Sequence, residues 1–301
     1  MILPLDQLRL SGGTMRSRRI RATLTSLGVA FALSVVMVFP TLAATTTVTV
    51  GPADLASDKA TAYTNGKWFL YNDENDQIDN SLGSFVVGPA TPPLGTDSLQ
   101  ISVSGTQRRN IATYRFKGTL LSDITTLRYS TYNPSAGNGG AATRSGYLQF
   151  NVDFNGSDTW QSRLVYVPSQ NGTVVQNSWQ EWDAISGGNA LWRYSGAGGA
   201  WPGGGPALKT WNQILAQYPG IRIRVTDSFL GIRVGEPYGN GYTENIDKFV
   251  FGTASDTTTF DFEAIGPATD KDQCKNNGWR QFNDPAYKNQ GDCVSSVTSG
   301  R

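Results

Sequence analysis

The sequence predicts an all-β protein, built as an antiparallel two-sheet sandwich of the jelly-roll kind. Three observations carry this. Strand-like runs recur along the chain with turn residues between them, three of those runs alternate apolar and polar residues, and one stretch alone reads as a helix. Composition agrees: the 301 residues are 39% apolar and only 16% charged, with 34 Gly and 14 Pro. That is too apolar and aromatic for a disordered chain, and too rich in glycine for a helical bundle.

The elements follow in order. The run 45–50 (TTTVTV) is β-branched throughout and fits a strand. Further runs stand at 67–71, 84–87, 98–103, 111–116 and 127–132, then at 147–154, 159–167 and 173–176, and last at 221–225, 230–234, 248–251 and 257–262. Alternation is clearest where Leu148, Phe150, Val152 and Phe154 interleave with Gln149, Asn151 and Asp153. Ile221, Ile223 and Val225 alternate with Arg222 and Arg224, and Leu127 and Tyr129 with Arg128 and Ser130. A period of two sends the apolar set to one sheet face and the polar set to the other, as in packed antiparallel sheets. Thr210 caps the predicted helix 211–218, which Pro219-Gly220 stops. The stretches 89–95 and 196–205 read as long loops.

Residues 15–43 read as an export signal. Arg16, Arg18, Arg19 and Arg21 form a basic start, 24–38 is apolar, Pro40 breaks the run, and Thr41-Leu42-Ala43 offers small residues for cleavage after Ala43 or Ala44. Met15 is the expected initiator. The apolar run is shorter than the ~20 residues that span a bilayer. The plan is therefore 1–43 signal peptide, 44–266 sandwich and 267–301 a small C-terminal segment. Removing the signal changes the formal charge from +1 to −3, with 20 Lys+Arg against 23 Asp+Glu. Nucleic-acid binding then loses its electrostatic basis, the mature chain has no transmembrane segment, and the product is expected to be secreted.

The tail is polar and holds both cysteines, Cys274 and Cys293. In an exported chain the pair reads as a disulfide stapling a segment too small to bury much of its own surface. The chain has no histidine. That excludes Ser-His-Asp and Cys-His catalysis and histidine-ligated zinc.

Lys271-Asp272-Gln273-Cys274-Lys275, then Gly278-Trp279, then Tyr287-Lys288-Asn289-Gln290-Gly291-Asp292-Cys293-Val294 resembles a short C-terminal motif of many secreted bacterial proteins. Asn277 departs from the usual glycine of that motif and Tyr287 from its phenylalanine. The resemblance implies export and a disulfide, and no activity. The larger part resembles an uncharacterised family of secreted bacterial β-proteins, through Asn151-Val152-Asp153-Phe154-Asn155-Gly156, Glu181-Trp182-Asp183, Thr243-Glu244-Asn245-Ile246-Asp247 and Phe260-Asp261-Phe262-Glu263. At the level of fold it is similar to bacterial jelly-roll carbohydrate-binding modules, concanavalin-like or galactose-binding-like. That resemblance implies a structural calcium near Asp247 and Glu263, and no other cofactor.

Eight tryptophans survive processing, six of them between 160 and 211. Indole faces stack on the apolar faces of sugar rings. Trp192, Tyr194 and Trp201 stand in or beside a glycine-rich loop and read as ligand contacts, with Trp179 and Trp182 as further candidates. A core position is the favoured reading for Trp160, Trp182 and Trp211. Gln149, Asn151 and Asp153 line a wet strand face suited to sugar hydroxyls, with Gln161 and Arg163 expected on the neighbouring strand. Glu181 and Asp183 lie two apart, so on a strand they would share a face, and with Asp153 they are the carboxylates an enzyme would use, although a third carboxylate is missing where many sandwich glucanases have one. Asp73-Glu74-Asn75-Asp76 reads as an acidic turn, because Ile78 stands where a calcium loop needs glycine.

The leading expectation is a secreted, non-catalytic protein that binds a polysaccharide or glycan on a Trp-lined surface. The alternatives are a secreted glycoside hydrolase or lyase using Glu181, Asp183 or Asp153, and a structural or interaction protein of the cell envelope with no small ligand.

Overall fold

The computed structural model describes residues 44–136, 138, 143–235, 241–264, 268, 270–282 and 287–299. The predicted export signal lies outside the described residues. The strands, in chain order, are β1 (Ala44–Val50), β2 (Trp68–Asn72), β3 (Gln77–Ile78), β4 (Gly83–Val87), β5 (Asp97–Val103), β6 (Arg108–Thr113), β7 (Ile124–Tyr132) and β8 (Tyr147–Asp153), then β9 (Arg163–Tyr166), β10 (Trp179–Asp183), β11 (Leu191–Tyr194), β12 (Leu208–Thr210), β13 (Arg222–Ile223), β14 (Leu230–Gly235), β15 (Tyr242–Thr253) and β16 (Asp256–Phe262). Three helices join them, α1 (Lys59–Asn65), α2 (Trp211–Gln217) and α3 (Gln290–Ser299). None is long and apolar enough to cross a membrane.

Two sheets pack face to face. The first runs β1-β16-β15-β5-β4, with β7 beside β15 and β10 beyond β7. The second runs β12-β11-β9-β8-β14-β6-β2-β3, with β13 against the end of β8. All pairs are antiparallel except β1 on β16. The sandwich is the one predicted, and the alternation of β8 shows why it forms. Leu148, Phe150 and Val152 enter the main core, where they meet Leu99, Tyr129, Phe249 and Phe262 of the facing sheet. The intervening polar residues stand on the other side.

Lys248 changes the phase of β15. Before it, Tyr242, Glu244 and Ile246 are the inward set; after it, Phe249 and Phe251 are. The register slips between Asp247 and Val250, and Lys248 takes φ 50°. A bulge adds one residue to one strand and so reverses which parity faces the core.

A second, smaller apolar cluster lies on the outer face of the second sheet. Phe69, Tyr71, Ala112 and Tyr114 pack there with Ala62 of α1 and with Phe229. Asp58 caps α1, and Gly66 ends it at φ 63°. This cluster covers the β2–β6 side of the outer face; toward β8 and β9 the same face carries polar side chains and a small buried patch of Tyr147, Val165 and Val167. Capped by Thr210 as predicted, α2 adds a reciprocal bond from the Thr210 N–H to the Gln213 side chain.

Some elements differ from expectation. The run 173–176 forms only one isolated bridge, Gln176 to Asn133. The predicted strand 159–167 begins at Arg163, because 154–162 is a loop. Strands β10, β11 and β12 and helices α1 and α3 were not expected. In the tail, Cys274 and Cys293 form the predicted disulfide, with Phe282 and Tyr287 packed around it.

Candidate functional site

From β6 across β14 and β8 to β9, the second sheet's outer face carries a polar row whose members are largely buried. Asn110, Arg233, Tyr147, Gln149, Asn151 and Arg163 share that face through the registers Arg233–Asn110, Arg233–Tyr147 and Asn151–Arg163. Gln149 donates through Nε2 to Asn110 Oδ1 at 2.8 Å and accepts from the Arg163 guanidinium at 3.2 Å. Arg233 donates to Asp73 and, at 3.4 Å, to Tyr147 Oη. Tyr147, Arg233, Asn110, Gln149 and Arg163 are thus linked into one hydrogen-bonded row, with Asn151 beside it.

Two adjoining hollows open on this row, of about 110 and 250 Å³, and share Asp73, Gln149, Trp160 and Arg163. The smaller also meets Tyr71, Asn151, Asp227 and Phe229. The larger meets Arg108, Tyr147, Arg193 and Arg233. Together they make a groove with polar walls and one prominent aromatic.

That aromatic is Trp160, 56% exposed and the one tryptophan of the eight that stands out into solvent. Sequence reasoning favoured a core position for it, and the structure corrects this. Trp160 belongs to the 154–162 loop, which side-chain acceptors hold tightly. Asp153 Oδ1 accepts from the backbone of Asn155 and Gly156 and from Gln161 Nε2. Gln161 Oε1 accepts from Phe154 N at 2.9 Å. Asp158 accepts from Val225 N and from the Thr226 hydroxyl, tying the loop to a second turn. Asp158 at φ 55° and Ser162 at φ 63° flank Trp160. Left-handed backbone in non-glycine residues is costly and persists where surrounding bonds enforce it. The indole is thus presented on a rigid perch.

The other tryptophans contradict the expected Trp-lined surface. Trp192 is fully buried among Phe150, Tyr166 and Trp211, and its N–H reaches Ala184 O at 2.8 Å. Trp201 is buried because the glycine-rich loop folds back over the sheet. There it packs on Tyr194 and Tyr218, with Lys209 Nζ 5.4 Å from its ring. Tyr194 is half-buried and donates to Gln161 O. Trp182 faces the core and bonds Thr131 Oγ1. Trp179 is half-buried on the outer face of the first sheet, against Tyr132 and bonded to Pro89 O.

Of the wet row expected from the sequence, Gln149, Asn151 and Arg163 do meet in the groove, whereas Asp153 and Gln161 are spent on holding the Trp160 loop. The acid candidates do not converge. Glu181 and Asp183 lie on the first sheet, where Arg128 spans them at 3.6 and 3.2 Å and Lys248 Nζ approaches Glu181 at 2.8 Å. Asp153 is buried on the other sheet.

Asp247 and Glu263 hold one loop. Asp247 accepts from Leu94 N and Phe262 N, and Glu263 from Thr96 N. Burial raises Asp247 to about 6. Burial and the charge of Asp261 raise Glu263 to about 7. No group of three acidic side chains placed to hold a metal occurs among the described residues. The geometry is that of a loop staple, in which backbone N–H groups bond both oxygens of Asp247 and Oε1 of Glu263.

No family model matches the chain, and no curated protein matches it. Solved structures with a related sandwich include TmCBM61 in complex with beta-1,4-galactotriose. It has 8% identity and a TM-score of 0.29, over 65% of this chain and 94% of that one. Another comes from a study of promiscuous specificity in carbohydrate-binding modules of the β-sandwich superfamily. It has 12% identity and a TM-score of 0.29, over 66% of this chain and 62% of that one. Similarity at this level carries no argument about function.

Proposed function

We propose that this protein is a secreted, non-catalytic glycan-binding protein whose site is the groove beside Trp160. The observation that carries the reading is an exposed indole, rigidly held, beside a pre-ordered row of amide and guanidinium groups. Trp160 supplies a face for a pyranose ring, Asn151 and Asp73 supply donors and acceptors for its hydroxyls, and the buried Gln149 holds Arg163 in place beside them. Such a site needs no rearrangement on binding, and that reduces the entropy cost of association. The non-catalytic reading is supported by the pairing of Glu181 and Asp183 with Arg128 and Lys248, far in the fold from Asp153. Export is supported by the basic–apolar–small pattern at 15–43 and by the Cys274–Cys293 disulfide.

The test is binding to a panel of insoluble and soluble polysaccharides, read by pull-down and by tryptophan fluorescence. Binding to at least one member, weakened about tenfold or more by Trp160→Ala, is expected. No binding to any member, with fluorescence unchanged throughout, overturns the proposal and leaves an envelope scaffold.

A further inference from the structure

The two lobes of the groove differ in charge. The larger is lined by Arg108, Arg163, Arg193 and Arg233 against one carboxylate, Asp73. Two of these arginines are already neutralised. Arg233 is bonded to Asp73, and Arg108 lies 3.6 Å from Asp73 and 3.4 Å from Glu74. The other two have no ion pair among the described residues. Arg163 donates to the neutral Gln149 and lies over Trp160. The buried Nε of Arg193 has no hydrogen-bond partner. Arg193 stands opposite Val165, two residues from Arg163 on the same face of the neighbouring strand, so the two guanidinium groups reach into one hollow.

A positive charge that is desolvated and unpaired is costly, and an unpaired buried donor adds to the cost. Burial, and after it the nearby charge of Arg233, hold Arg163 below the ordinary guanidinium value. An incoming oxyanion offsets both costs. A carboxylate suits two planar donor forks better than a hydroxyl does, because it accepts paired N–H bonds in their own plane. The smaller lobe, where Asp73, Asp76, Asp227 and Asn151 stand beside Tyr71 and Phe229, fits the hydroxyls of an adjoining neutral ring.

We infer that the groove selects an acidic glycan, with the carboxylate of a uronosyl residue received by Arg163 and Arg193 while Trp160 stacks on the chain beside it. This rests on the glycan-binding reading above and adds the ligand's charge class.

Calorimetry on the full mature chain tests it, using oligogalacturonides and their methyl esters, oligoalginates, and xylo-oligosaccharides with and without a glucuronosyl branch. Acidic members are expected to bind about tenfold or more tightly than their uncharged counterparts. The ratio should shrink as salt rises from about 50 to about 500 mM. Arg193→Gln should bring it close to one, and Arg193→Lys, which keeps the charge but loses the fork, should restore only part of it. Equal affinity for acidic and neutral members, still dependent on Trp160, overturns this inference and leaves the glycan reading standing. Stronger binding of a sulfated galactan than of any uronide, or binding of inorganic phosphate as tight as that of the uronides, also overturns it. Failure of every sugar to bind overturns both.

Discussion

The guanidinium of Arg163 lies 5.9 Å from the ring centre of Trp160, at the one exposed indole of the protein. The contact links the aromatic platform to the hydrogen-bonded row, because the same guanidinium donates to Gln149. Trp160 and Trp192 should therefore behave oppositely on truncation. Trp160→Ala should change folding stability by no more than ~0.5 kcal/mol, as an exposed substitution does, while removing glycan binding. Trp192→Ala opens a cavity in the main core and should cost ~3–5 kcal/mol. Denaturant melts of both variants check the contrast.

The carboxylates on the first sheet should prove dispensable for binding. Glu181 and Asp183 are about one-third exposed, and ion pairs of that kind contribute at most ~1 kcal/mol. Glu181→Gln is expected to leave glycan affinity unchanged and to lower stability only slightly. If the protein releases reducing sugar from any substrate, and Glu181→Gln abolishes that release, the non-catalytic reading is wrong.

Stability should fall as pH rises through neutrality. Glu244 is fully buried, and burial raises it from 4.5 to about 7 although Ser145 donates to it. The native state thus holds its proton more tightly than the unfolded chain does. The associated stability is complete below 4.5 and is lost as pH climbs past about 7. Glu263 and Asp247 shift in the same direction. Glu244→Gln should flatten this segment of the curve and raise stability at alkaline pH by on the order of 3 kcal/mol. In the same melts, calcium is expected to leave the midpoint unmoved, since backbone donors already hold both Asp247 oxygens and Oε1 of Glu263.

Reduction of Cys274–Cys293 should act locally. The bond joins residues 19 apart in a tail with its own small cluster. Chain-entropy reasoning assigns such a loop about 3 kcal/mol. Mild reductant is expected to expose the tail to proteolysis while the groove binds glycan as before. Loss of binding on reduction would show that the tail and groove are coupled.

How much was legible in the sequence depended on contrast between neighbours. Strand β8 could be read because Leu148, Phe150 and Val152 alternate with polar residues, and the same alternation placed Gln149 and Asn151 in the groove. Strand β11 alternates only over Trp192, Arg193 and Tyr194, too short a run to stand out, and the glycines beside it suggest an open loop. Those glycines do the reverse. Gly203, Gly204 and Gly205 take positive φ and let the chain fold back, sealing Trp201 inside. Trp160 was misplaced because 159–167 was read as one strand. Its neighbours at two residues' distance, Asp158 and Ser162, are polar, so no apolar face continued through it, and that was the available sign. Arg193 gave no local sign, since its meaning comes from β9, nearly 30 residues earlier.

The tie between Asp158 and the turn at Val225-Thr226 gives this site a kinetic consequence. A perch that is held open and still in the empty protein leaves little to rearrange during an encounter, so capture is governed by diffusion and the escape rate alone sets how tightly a sugar is kept. Asp158, two residues from the indole, then bears on how long a sugar stays only through the loop it anchors.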